Sequence, residues 1–224
     1  MMNNIFSVFD SSTNSSFEMN WLSSILIFLI LPWNYWLLKS RINMLINIIL
    51  NFIYNEFKII LKYKFNYNNM FYFISMMLFI LINNFMGLFP YIFTSSSHLI
   101  FSISLALPLW ISLMLMGWLN NINHMFSHMI PQSTPFILMP FMVMIETTSN
   151  LIRPLTLTIR LTANMIAGHL LITLLSQSAI SPLLIISIMI ILIQITLMIL
   201  EFSVSIIQAY VFTILSILYT KEIY

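Results

Sequence analysis

The chain has no cysteine, only three glycines and very little charge, and each shortage removes a class of function. Without thiols there is no disulfide frame, no thiolate metal site and no thiol nucleophile. Three glycines leave no Gly-rich cradle for a phosphate, so this chain is not expected to bind a nucleotide, and no nucleic-acid partner is expected. Charged residues make up 6% of the chain, against roughly a quarter in soluble domains, which excludes a water-soluble core. What remains is apolar: 60% of residues are hydrophobic and the mean hydropathy is +0.98. Apolar runs about 20 residues long match the roughly 30 Å of hydrocarbon that a helix must cross. The expectation is an all-α integral membrane protein, with residues 1–224 forming a single multi-pass domain without internal repeats.

Along the chain, residues 19–38 read as an N-terminal transmembrane anchor helix with Trp21, Trp33, Tyr35 and Trp36 at its interfacial ends. Residues 41–64 read as an interfacial amphipathic helix, because Asn43, Asn47, Asn51 and Asn55 recur every four positions among Ile, Leu and Phe; a polar loop is the alternative. Five of the eight basic residues (Lys39, Arg41, Lys58, Lys62, Lys64) lie in this part, opposed only by Glu56. The positive-inside tendency puts it on the matrix or cytoplasmic side and the N-terminal tail on the other. The tail shows no cleavable signal, and Asn14-Ser15-Ser16 is a weak glycosylation match. A helical hairpin is expected over 70–119, from Met70–Phe93 and Leu99–Leu119, with Asn83 and Asn84 bonded between helices inside protein. Asn120 to Gln132 reads as a polar connection carrying His124 and His128.

Residues 133–220 read as a long, steeply tilted hairpin. No Gly, Pro or Asn interrupts the 38 residues from Leu183 to Thr220. Such a helix is about 57 Å long, roughly twice the hydrocarbon thickness. The preceding helix has Pro154 as its chief breaker, where a kink is tolerated, and Ser181-Pro182 marks the turn. In an antiparallel hairpin centred near residue 184, facing residues have numbers summing to about 369. Arg160 then faces Gln208, and His169 faces Glu201, so four groups that lipid would penalise meet in two layers. Holding Arg160 about 15 Å deep requires a lean on the order of 65° from the membrane normal.

Glu146, Arg153 and Arg160 recur every seven residues, with Asn150 and Asn164 in the same stripe, while Ala163 and Ala167 keep the flank of Arg160 low enough for another helix to approach. An arginine stays protonated, so Arg160 can act as a fixed barrier that attracts a partner's carboxylate, but not as a relay. His169 and Glu201 can both titrate, as a proton path needs. Plainer readings stand beside these: Arg160 locking two helices through a Glu, His169 and Glu201 sharing a structural hydrogen bond, and Glu146 and Arg153 reaching an interface separately. His124 and His128 have a zinc-like spacing without a third ligand nearby, so no metal is expected; the methionines are apolar filling.

The stretch Ile159-Arg160-Leu161-Thr162-Ala163-Asn164-Met165-Ile166-Ala167-Gly168-His169 resembles the signature of subunit a of mitochondrial F-type ATP synthases, in an insect-like, organelle-encoded form. Ile145-Glu146-Thr147, Arg153-Pro154, Glu201-Phe202, Ile207-Gln208-Ala209-Tyr210 and Asn84-Phe85-Met86-Gly87-Leu88-Phe89-Pro90 extend the resemblance over most of the chain, whereas the first 65 residues match only in character. The resemblance implies a non-catalytic, proton-conducting stator subunit of the mitochondrial inner membrane, without a cofactor, lying beside a ring of c subunits and other membrane stator subunits. It makes Arg160 the arginine facing that ring, with Asn164 and Gln208 near it. His169 and Glu201 would line the inlet half-channel from the intermembrane space, and Glu146 with Arg153 the exit half-channel; family members vary at these last two. Two other classes stay open at this point. A secondary transporter would show two related halves and broken helices, and a cofactor-bearing respiratory subunit would need facing histidines at mid-membrane.

Overall fold

The computed structural model describes residues 5–14, 16–32, 36–61, 67–89, 91–130, 134–178 and 184–223, and among them every regular element is helical. Seven α-helices follow in order: α1 Leu22–Leu26, α2 Arg41–Ile60, α3 Tyr67–Gly87, α4 Leu99–Asn120, α5 Ile122–His128, α6 Met139–Ser178 and α7 Leu184–Ile223. Four stretches are long and apolar enough to cross a membrane: Asn69–Gly87, Leu99–Asn120, Phe136–Ser178 and Ile186–Glu222. Trp33, Tyr35, Lys62, Lys64, Pro90, Pro131 and the Ser181-Pro182 turn lie outside the described residues, as does Ser15.

The N-terminal span departs from expectation. Residues 19–38 do not form one helix: 3-10 turns at Met19–Trp21 and Ile27–Ile30 flank the five-residue α1, and Leu31 is extended (φ −66°, ψ 125°). The cause is Pro32, whose ring disfavours helical geometry in the residue before it. The segment is held by aromatic contacts instead. Phe28 stacks on Phe79 of α3, and Trp21 packs on Phe93 and His98 in the connection between α3 and α4. That connection turns through Tyr91, which takes a left-handed conformation (φ 69°), and a 3-10 turn at Ser95–Ser97.

The amphipathic helix is present as α2. Ser40 caps it by accepting the Asn43 amide, and the helix ends at Ile60. Ile53 and Phe57 point into a cluster with Met70, Phe73 and Met77 of α3, Leu109 of α4 and Ile217 of α7, while Asn51 and Asn55 stay exposed. A second cluster joins Ile80, Ala106, Leu157, Leu161, Ala209 and Phe212, so α3 and α4 back the α6–α7 hairpin from one side. α6 continues through Pro154, and α6 and α7 have 40 residues each, about 60 Å of helix.

The inner seam of this hairpin is polar. Thr158, Thr162, Ser205, Gln208, Thr213, Ser216 and Thr220 are buried. Their hydroxyls donate to carbonyls of the preceding turn, as Thr158 does to Leu155 (2.8 Å) and Ser205 to Phe202 (2.7 Å), which removes the cost of enclosing a polar group away from water. The two expected asparagine contacts separate. Asn83 accepts from Ser95 (3.1 Å) and donates to the Phe79 carbonyl, whereas the Asn84 amide has no hydrogen-bond partner among the described residues.

Candidate functional site

Three cavities succeed one another along α6 and α7. The first, about 190 Å³, is lined by Glu146, Asn150 and Arg153 of α6 and by Tyr219 and Glu222 of α7; Trp110 of α4 and His128 of α5 complete its wall. Arg153 is not reaching an interface alone here. Its Nη1 donates to Glu222 Oε2 (2.6 Å), its Nη2 lies 3.7 Å from Glu146 Oε1, and its guanidinium stands 5.1 Å from the centre of the Tyr219 ring. The connection carrying the histidines is also more ordered than a loop: α5 sets the His124 and His128 rings 4.5 Å apart, one turn from each other, and turns His128 toward this cavity.

The next void is only about 10 Å³ and is bounded by Leu157, Arg160, Leu161, Gln208 and Phe212, room for one water at most. Gln208 faces Arg160 as the register predicts, with its Nε2 donating to the Arg160 backbone carbonyl (3.2 Å). The guanidinium itself is left for other business. Arg160 is exposed on the face of the hairpin that α3 and α4 leave uncovered, and no carboxylate among the described residues lies within ion-pair distance of it. The reading in which Arg160 locks two helices of this chain through a Glu is therefore overturned. Asn164, Ala163 and Ala167 are exposed beside it, so the low flank is real and open.

Beyond Arg160 lies a cavity of about 230 Å³ lined by Asn164, Gly168 and His169 of α6 and by Leu197, Glu201 and Val204 of α7. His169 and Glu201 share this space but do not bond to each other: His169 Nε2 and both Glu201 carboxylate oxygens have no hydrogen-bond partner among the described residues. The residue that meets Glu201 is Gly168, whose number and that of Glu201 sum to 369. A Cβ at Gly168 would overlap Glu201 Oε1 and lie 2.7 Å from its Cδ. His169 is turned enough to line, in addition, a larger cavity of about 710 Å³ whose wall includes Thr94, Thr173, Gln194 and the N-terminal Ser7, Asp10 and Asn20.

Gly168 is thus a space-making residue for a carboxylate. Gly168→Val is expected to push Glu201 aside while leaving both helices intact. If Glu201 passes protons, as the resemblance implies, a displacement of about 1 Å costs on the order of 100-fold where geometry is tight and less for a group that relays through water, so a loss of proton flux nearer tenfold is expected. Proton uptake by vesicles holding the variant complex measures it.

A family model described as ATP synthase A chain matches residues 17–221. The chain belongs to this family. Among known proteins it is similar to ATP synthase subunit a of Drosophila melanogaster (55% identical over 223 residues) and of Locusta migratoria (54% over 225), with 100% of each chain covered. It is 52% identical over 225 residues to ATP synthase subunit a of Anopheles quadrimaculatus, again over both whole chains.

Membership of the ATP synthase A chain family gives the cavities a context. Two of their wall residues escaped notice in the sequence, Glu222 and Asp10, and a third, His128, stood out there only for its spacing to His124. Each meets the rest of its cavity over long sequence separations, as between Arg153 and Glu222, and no local periodicity reports that.

Proposed function

We propose that the chain works as the proton-conducting stator subunit of an F-type ATP synthase in the mitochondrial inner membrane, with its cavities forming two half-channels that serve a ring of c subunits. The observation that carries this reading is the order of the cavities on both long helices. On α6 the wall residues run from 146–153 through 157–161 to 164–171, and on α7 from 219–222 through 208–212 to 197–204. Two cavities, each walled in part by titratable side chains, are thus separated by Leu157, Leu161 and Phe212, with Arg160 emerging between them.

In this mechanism a proton enters through the cavity of His169 and Glu201 and passes by Asn164 to a ring carboxylate, which it neutralises. The neutral carboxylate then travels through lipid as the ring turns. It gives up its proton beside Glu146 and Arg153, whose cavity opens to the matrix. Arg160 stands between, favours the ionised carboxylate and repels a hydronium that would otherwise cross directly. Two helices of about 60 Å fit a membrane of roughly 30 Å only when strongly inclined, and inclined helices can follow the curved flank of a ring. Other membrane stator subunits would hold the chain at its remaining faces.

Because the chain has no cysteine, side-specific labelling tests the two paths directly. Cysteine introduced at Thr173 in one variant and at Asn150 in another is expected to react with a membrane-impermeant thiol reagent from opposite faces, Thr173→Cys from the intermembrane-space side and Asn150→Cys from the matrix side. Labelling of both from one face would overturn the two-half-channel reading.

A further inference from the structure

We infer that Asp10, held on the N-terminal segment, is the outer proton-accepting residue of the inlet path, and that this segment forms the outer wall of the cavity leading to His169. The inference rests on the half-channel reading above and extends it to a part of the chain whose sequence shows no family signature.

Two independent contacts place the segment there. Ser7 and Asp10 line the large cavity together with His169, and the Phe9 ring meets the His169 ring edge-on, with centroids 6.5 Å apart and planes at 85°. The segment is tied down rather than trailing. The Asp10 amide donates to the Ser7 carbonyl (3.3 Å), and Asn20 Nδ2 donates to the Asp10 carbonyl (3.2 Å). Thr13 bonds to the Phe17 carbonyl through both its amide and its hydroxyl. Trp21 then anchors the following turn on Phe93 and His98.

The chemistry follows from what the cavity holds. Among the described residues its titratable side chains are Asp10, Tyr91 and His169, and Asp10 is exposed, which in the half-channel reading sets it toward the outer aqueous phase. An ionised Asp10 takes a proton from hydronium, forming an O–H bond, and returns it to cavity water that passes it to His169; the carboxylate is regenerated and no other reactant is consumed. Phe9 is a positioning residue: its edge on the imidazole keeps His169 turned toward both the outer cavity and the one holding Glu201.

The test uses the whole complex in vesicles, with proton-driven ATP synthesis followed at low and high concentrations of a mobile buffer on the intermembrane-space face. Asp10→Asn is expected to slow synthesis several-fold at low buffer and to recover when imidazole is added on that face, while Asp10→Glu stays close to the parent at both. A rate of Asp10→Asn equal to the parent at low buffer would overturn the proposal, as would a deficit that imidazole leaves untouched, since that marks a structural role. Arg160→Ala measured alongside separates the two readings: if Asp10→Asn behaves like the parent while Arg160→Ala is inactive, only the role of Asp10 is lost.

Discussion

Replacing Arg160 with alanine is expected to abolish proton-driven ATP synthesis in reconstituted vesicles and to turn the complex into a passive proton leak. The guanidinium has no carboxylate within ion-pair distance among the described residues, so its attraction is available to a partner. At about 4 Å and an effective dielectric near 20, that attraction is on the order of 4 kcal/mol. Divided by about 1.4 kcal/mol per pKa unit, it holds a ring carboxylate ionised over about three further pH units. Without it the carboxylate keeps its proton past the exit cavity, and the same missing charge lowers the barrier to a hydronium crossing between the cavities. Arg160→Lys is expected to restore only part of the function, since an ammonium can lose its proton in a dry site and a guanidinium does not. Normal synthesis by the alanine variant would sink the barrier role.

Replacing Glu201 with glutamine is expected to be nearly as severe, through a different step. The amide fills the same space beside Gly168 but cannot take up and release a proton, so the inlet path loses its inner station. Loss of a positioned acid or base typically costs about 100-fold to 10,000-fold, and proton-driven synthesis is expected to fall by at least the lower figure. Recovery of the intact complex, with its catalytic head attached, should be unchanged, which distinguishes a blocked path from a complex that fails to assemble. Glu201→Asp keeps the acid and should retain a measurable fraction of the flux. If the glutamine variant synthesises ATP normally, protons reach the ring without Glu201.

The long hairpin was the most legible part of the molecule, because its signal is simple: a second helix without breakers, one turn and, on the first helix, a polar stripe of period seven. A sum near 369 placed Gln208 at Arg160, and the structure joins them through the backbone carbonyl of Arg160. The same arithmetic put His169 opposite Glu201, where the structure has Gly168. A shift of one residue rotates a helical side chain by about 100°, enough to turn a pair that would bond into two neighbours of a common cavity. The N-terminal span was misread because hydropathy reports that a segment is apolar, whereas Pro32 decides that it does not continue as a helix. Asp10, Phe9 and Glu222 were illegible for a related reason, since their roles arise from packing against elements far along the chain.

The layer of Leu157, Leu161 and Phe212 between the cavities has an electrical consequence. From Arg153 in the exit cavity to Asn164 in the inlet cavity is eleven residues of α6, about 16 Å along the helix axis and less along the normal of an inclined helix. In the proposed half-channel arrangement, conducting water on either side would confine the inner-membrane voltage to that short insulating step instead of some 30 Å of hydrocarbon, at least about doubling the local field. The full 2.3 kcal/mol per charge per 100 mV would then be delivered at the proposed rotor ring. A wider gap would dilute the torque, and a thinner one would short-circuit the cell's supply.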